Sequence, residues 1–235
     1  VDTSSNARTL ASQAQNLLRK DILSGQLQPG ERLRTKDLQL RYGLGLSPLR
    51  ESLQRLSAEG MVIMDEQRGF AVAPVSVAEL EDLTVARTGL ESIMLPMAVK
   101  LGNADWEAEI VAAFHRLSRT PLPHDPDATA DASQWEMRHR AFHHALVAGC
   151  NSPWLLRLHG QMVDQTERYR KIRILHHQTS GAQVRDVNAE HQAVMQAVLR
   201  RDAAEAVHLM TEHLVATSKA TAELMGRTPS QEKNP

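Results

Sequence analysis

The histidines are the first residues in this chain whose types and spacing could do chemistry. All 11 lie beyond residue 114. His139 and His143 are four apart, so on a helix they project from one face, about one turn apart. His191 follows Glu190, and His213 stands in Glu212-His213-Leu214. Imidazoles from three helices can converge inside a bundle, which is where bundle folds place metals. Neutral imidazole suits Zn, with Ni, Mn or Fe as other choices, and open coordination positions would accept a ligand oxygen. Spacing alone leaves the bland alternative open, because such pairs are more often surface or satisfied core groups. His144, His159, His176, His177 and His208 read as solvated or structural.

A carboxylate ligand at such a site would need a cationic fork. Arg87, Arg168 and Arg170 are the candidates, since guanidinium pairs bidentately with carboxylate, and Tyr169 could add its hydroxyl. The run Arg168-Tyr169-Arg170-Lys171 with Arg173 also fits a solvated basic helix face. Histidine sites activate water too, so a metal-dependent hydrolase is an alternative. Against it, there is no His-Glu-x-x-His motif, and Glu190 is expected on a different helix face from His191. A constitutive DNA-binding dimer with incidental histidines is the other alternative. Cys150, the single cysteine, reads as a small buried hydrophobe; it rules out an internal disulfide framework and suits a reducing cytoplasm.

The elements that must position these residues begin upstream, in residues 29–74. Leu33, Leu38, Leu40 and Tyr42 suggest a first short helix, and Gly43 and Gly45 a tight turn with positive φ. Ser47 is expected to cap the next helix and Pro48 to sit in its first turn. Leu49, Leu53 and Leu56 recur at helical spacing, and Gly60 follows the helix end. Residues 61–64 and 70–73 suggest two short strands joined through Asp65-Glu66-Gln67-Arg68-Gly69. This is the layout of a winged helix-turn-helix, whose second helix enters the major groove. The expected DNA contacts are Arg50, with Arg34, Lys36, Ser47, Pro48, Arg68 and Gly69 assisting.

Ser24-Gly25, Pro29-Gly30-Glu31, Ser47-Pro48-Leu49-Arg50-Glu51, Ala58-Glu59-Gly60 and Arg68-Gly69 together resemble GntR-type bacterial transcription regulators over roughly residues 13–74. Gly45-Leu46 replaces the Ser-Arg that the family usually carries before its Thr-Pro pair, so the operator sequence does not carry over. Downstream, Arg87 with Glu91, His139-Arg140-Ala141-Phe142-His143, Gly149-Cys150-Asn151, Glu190-His191, the run Arg201-Asp202-Ala203-Ala204-Glu205-Ala206 and His213 resemble the FCD effector domain of the FadR-type branch, over about residues 77–220. That resemblance implies an all-α bundle of six or seven helices, with a divalent metal held by an Asp or Asn plus three histidines. It also implies a carboxylate effector. His139 stands at the family's Asp position. Asp105-Trp106-Glu107-Ala108, Val147-Ala148-Gly149-Cys150 and Arg168-Tyr169-Arg170 resemble the glutarate-responsive repressors of that branch, which makes glutarate the first effector candidate.

Composition fits two modest domains in 235 residues, with 42% hydrophobic content and no apolar run long enough to span a membrane. Net charge is −1, but residues 1–75 hold 10 Lys+Arg against 8 Asp+Glu while the remainder holds 17 against 20. A mildly basic head on a mildly acidic body is compatible with phosphate binding. The expected organisation is a flexible tail (1–12), a small α+β winged helix-turn-helix domain (13–75), an all-α ligand-binding and dimerisation bundle (76–226) and a disordered tail (227–235). Within the bundle, Ser76 with Glu79 reads as a capping box, and Pro96 predicts a kink or break. Helices are expected over residues 104–117, 128–148, 153–175, 186–200 and 203–225, with a loop at 121–127 and a polar break at 176–181. The partners expected are operator DNA, a small carboxylate and a second copy of the chain, in the cytoplasm, with no membrane.

Overall fold

A computed structural model describes residues 3–65, 69–121, 129–176 and 185–227. Arg68 and its turn neighbours, the expected loop at 122–127, the polar segment 177–181 and the tail 228–235 lie outside the described residues. The chain divides into two compact units, Val1–Ser76 and Val77–Pro235.

The first unit is three helices and a small sheet. α1 (Thr3–Leu23) takes in residues 3–12, read from the sequence as part of a flexible tail, together with the start of the expected winged helix-turn-helix domain. Its buried stripe of Ala11, Ala14, Leu18 and Ile22 keeps helical spacing, and the helix packs against the one at residues 46–58. β1 (Arg32–Leu33) precedes α2 (Thr35–Tyr42), so Leu33 belongs to a strand and not to the first short helix. Gly43 closes α2 in the left-handed region at φ 65°. Gly45 instead has φ −69° and is the N-cap of α3 (Leu46–Ala58), so Ser47 lies one residue inside the helix and does not cap it. Pro48 does fall in the first turn, where its missing N–H has no cost. Leu49, Leu53 and Leu56 are fully buried. Gly60, at φ 74°, turns the chain so that the Met61 N–H returns to the Leu56 carbonyl at 2.9 Å. β2 (Val62–Asp65) and β3 (Gly69–Val72) pair antiparallel, and β3 also pairs with β1, giving the order β1-β3-β2.

Among its described residues the second unit is wholly helical: α4 (Val77–Leu101), α5 (Ala104–Ser118), α6 (Thr129–Ala148), α7 (Pro153–His176), α8 (Val187–Leu199) and α9 (Ala203–Arg227). α4 packs against α6, α7, α8 and α9, and runs through Pro96 without a break. Met94, Leu95, Ala98 and Val99 are buried on both sides of that proline, so tertiary packing holds the helix where local propensity would end it. α5 starts at Asn103, whose side chain accepts the Trp106 N–H, and Trp106 donates its indole N–H to the Ala145 carbonyl at 2.8 Å. Among the described residues no helix is long and apolar enough to cross a membrane.

Candidate metal centre and nucleic-acid interface

His139 and His143 project from one face of α6, His191 from α8 and His213 from α9. All four are buried, and each offers a ring nitrogen within 4.8 Å of the others. The His139 and His143 Nε2 atoms stand 3.1 Å apart, and Trp135 stacks on His139 with ring centres 4.6 Å apart. Burial first, then neighbouring imidazoles and Arg170, holds His139 well below the ordinary histidine range; burial and then Arg87 do the same for His143. Burial lowers His213 as well, although Glu190 opposes it. Neutral imidazole is the form that ligates metal.

The donor set passes a second test. His213 Nδ1 faces Glu190 Oε2 at 2.7 Å, and Arg185 holds the same carboxylate through Nε at 2.9 Å and through Nη2. A proton on Nδ1 then leaves Nε2 with its lone pair, the arrangement by which carboxylates orient metal-bound histidines. Burial would raise the Glu190 pKa, but His213 and Arg185 outweigh it and bring it down to about 2. His139 Nδ1 is buried without a hydrogen-bond partner. The Arg87 Nη2 group faces His143 Nδ1 at 3.4 Å and can only donate to it. Four clustered imidazoles with an orphaned nitrogen on His139 suit a divalent metal ion.

His139 and His213 also line a cavity of about 30 Å³, together with Arg87, Thr166, Tyr169 and Arg170. Arg87 donates through Nε to Glu91 at 2.8 Å and through Nη1 to Thr166 Oγ1 at 3.0 Å. Arg170 grips Glu136 at 2.9 Å and reaches the same Thr166 hydroxyl at 3.3 Å. Of the arginines picked from the sequence, Arg87 and Arg170 therefore meet at the cavity. Arg168 does not line it and donates to Gln165 at 2.8 Å. Tyr169 lines it, but its hydroxyl is directed to Glu79. His159, read as solvated or structural, is buried and faces Glu91 at 3.3 Å.

In the first unit, Arg34, Lys36, Arg50 and Gly69 line one concavity of about 340 Å³, which also takes in Arg32 and Phe70. Ser47 and Pro48 lie beside it in the first turn of α3, outside its lining. Three exposed cations and a glycine at φ 78° thus come together from α2, α3 and the wing strand.

Two family models match the chain. Residues 10–72 match the bacterial regulatory proteins of the gntR family, and residues 82–216 match the FCD domain. The chain belongs to the GntR family. It is 39% identical over 198 residues to the HTH-type transcriptional repressor GlaR of Escherichia coli K12, covering 84% of this chain and 89% of that protein. It is 36% identical over 209 residues to the regulator BphR of Paraburkholderia xenovorans LB400, covering 89% and 84%. The solved structure of E. coli McbR/YncC superposes with a TM-score of 0.75 at 22% identity, covering 92% of this chain and 98% of that one. This GntR protein is a DNA-binding transcriptional regulator with an FCD domain, and its relatives are regulators, not enzymes; the hydrolase alternative falls with that finding.

Sequence reasoning missed Glu190 as a partner of the histidine centre. Adjacent helical residues are about 100° apart, so Glu190 and His191 can flank one seam and meet α9 from either side. A carboxylate next to a candidate ligand, facing a histidine-bearing helix, is the signal that would have found it. Arg185, Glu136 and Thr166 carried no such signal.

Proposed function

We propose that this GntR regulator is a homodimeric repressor whose operator affinity is set by a small dicarboxylate, glutarate first, received beside a divalent metal in the FCD domain. The observation that supports this most is that four buried imidazoles adjoin a cavity walled by Arg87, Tyr169 and Arg170. His139, His143, His191 and His213 would hold the ion, Zn by donor type, and the ion when bound supplies a Lewis-acidic seat for one carboxylate oxygen. Arg87 and Arg170, each kept in place by its glutamate, would present N–H groups to the second carboxylate. Thr84, Thr217, Ser218 and Thr221 line the remaining wall, with the Thr84 and Thr221 hydroxyls donating to the Leu80 and Thr217 carbonyls of their own helices.

A cavity of about 30 Å³ has room for roughly two water molecules. A five-carbon diacid therefore requires its walls on α4, α7 and α9 to part. That requirement supplies the differential affinity for two states without which a ligand shifts nothing. At the other end, Arg50 would contact base edges, with Arg34, Lys36, Ser47, Pro48, Arg68 and Gly69 holding the operator. Two-fold symmetry of the dimer would match a pseudo-palindromic site, in the cytoplasm where the DNA lies.

Calorimetry with glutarate and related diacids, with and without chelator, tests the reading. Binding should require metal, and Glu190→Gln should weaken metal affinity roughly 10–100-fold by releasing the His213 ring. Tight glutarate binding that survives full metal removal and His191→Ala would sink the metal-bridged site.

A further inference from the structure

Arg32 is absent from the set of DNA contacts above, yet it is where the basic concavity closes. It lies on β1, a strand of two residues. Alternation along that strand buries Leu33 in the core and leaves Arg32 exposed. The pairing of Arg32 with Ala71 sets it beside the wing strand, two residues from Gly69 and next to Phe70. Arg32, Arg34, Lys36 and Arg50 line the same 340 Å³ hollow, and its lining contains no aspartate or glutamate. Among the described residues none of the four cations is in a salt bridge, whereas Arg19, Arg41 and Arg55 of the same unit each hold a carboxylate. Glu31, the acid next to Arg32 in sequence, accepts the Gln28 N–H at 2.7 Å, and Glu51, next to Arg50, pairs with Arg55.

Four like charges around one hollow repel each other unless an anion enters. We propose that Arg32 is a phosphate-contacting residue, a cation on β1 that engages the backbone of duplex DNA between the reading helix α3 and the wing and so fixes how the helix is seated. The contact carries no sequence information; it positions. This goes beyond the reading above and does not depend on its metal or effector.

The experiment is the salt dependence of binding to a generic duplex of about 30 base pairs, by fluorescence anisotropy on the 235-residue chain. Each phosphate contact contributes roughly 0.9 to the slope of log affinity against log salt. Arg32→Gln should lower that slope by about one contact per protomer, and Arg32→Lys should retain it. Lys100→Gln, an exposed charge on α4, is the control for net charge and should leave it unchanged. Thermal melts confirm that each variant folds. A slope for Arg32→Gln equal to the parent, or reduced no more than by Lys100→Gln, overturns the assignment. So does saturable binding of inorganic phosphate that Arg32→Gln abolishes while the duplex slope stays unchanged, since the hollow would then be a free-anion site.

Discussion

Glu167 is held by burial and by other carboxylates at a pKa of about 7. Burial has the largest effect, the Glu136 carboxylate adds to it, and Arg170 and Arg140 offset it in part. An unfolded glutamate titrates near 4.5, so between those values the native chain keeps a proton that the unfolded chain has lost. The stability this contributes is fully present below about pH 4.5 and is lost as pH rises through 7. Glu167→Gln should therefore be close to neutral at pH 5 and stabilising at pH 8 by on the order of 2 kcal/mol. Denaturant midpoints of parent and variant at the two pH values measure this. The buried imidazoles work in the other direction, since their neutral forms are favoured and acid opposes them, but they are common to both proteins and cancel in the difference. An equal effect at both pH values would show that Glu167 titrates as an ordinary carboxylate. None of this was readable from the sequence, because Glu167 meets Glu136 only through the packing of α6 on α7.

At the scale of elements, periodicity decided most of the outcome. Helices α5 to α9 begin and end within two residues of the expected ranges, and α3 follows Leu49, Leu53 and Leu56. The misses have local causes. β1 has only two residues, too short for any alternation to register. α1 carries a buried stripe that begins at Ala11, and composition alone does not disclose the surface that receives it. Two glycines near α4 show how packing reverses a local rule. Gly89, inside the helix, is exposed and has open space where a Cβ would stand, so Gly89→Ala should stabilise by up to about 1 kcal/mol. At Gly102 a Cβ would come within 2.0 Å of Trp106 Cε3, and at Gly149 within 2.8 Å of the same ring. Trp106 is held from above by its indole hydrogen bond and cannot retreat without losing it. Gly102→Ala should thus destabilise by about 1–3 kcal/mol through overpacking. Chemical denaturation reads both signs; a stabilised Gly102→Ala would mean that α5 slides freely.

For the whole molecule, the proposed function requires the two units, which meet in sequence at Ser76 and Val77, to act as one switch. The histidines were visible in the sequence as candidates because helical spacing and a family pattern coincide on them. The cation fork was visible only in outline, since the choice among Arg87, Arg168 and Arg170 depends on helix rotation. What closes the cavity is equally a matter of packing. An effector that must part those walls has, by linkage, a symmetric relation with DNA. If glutarate lowers operator affinity by ~1–3 kcal/mol, roughly 5–150-fold, then operator DNA must weaken glutarate binding by the same factor. Titrating glutarate into free protein and into a saturated operator complex, at fixed metal and salt, gives the two numbers directly. Equal factors mean one two-state equilibrium spans both units. Glutarate affinity that is indifferent to operator, in a protein that binds both, would mean that the FCD cavity and the reading heads do not share an equilibrium, and the switch would have to be sought in a different ligand.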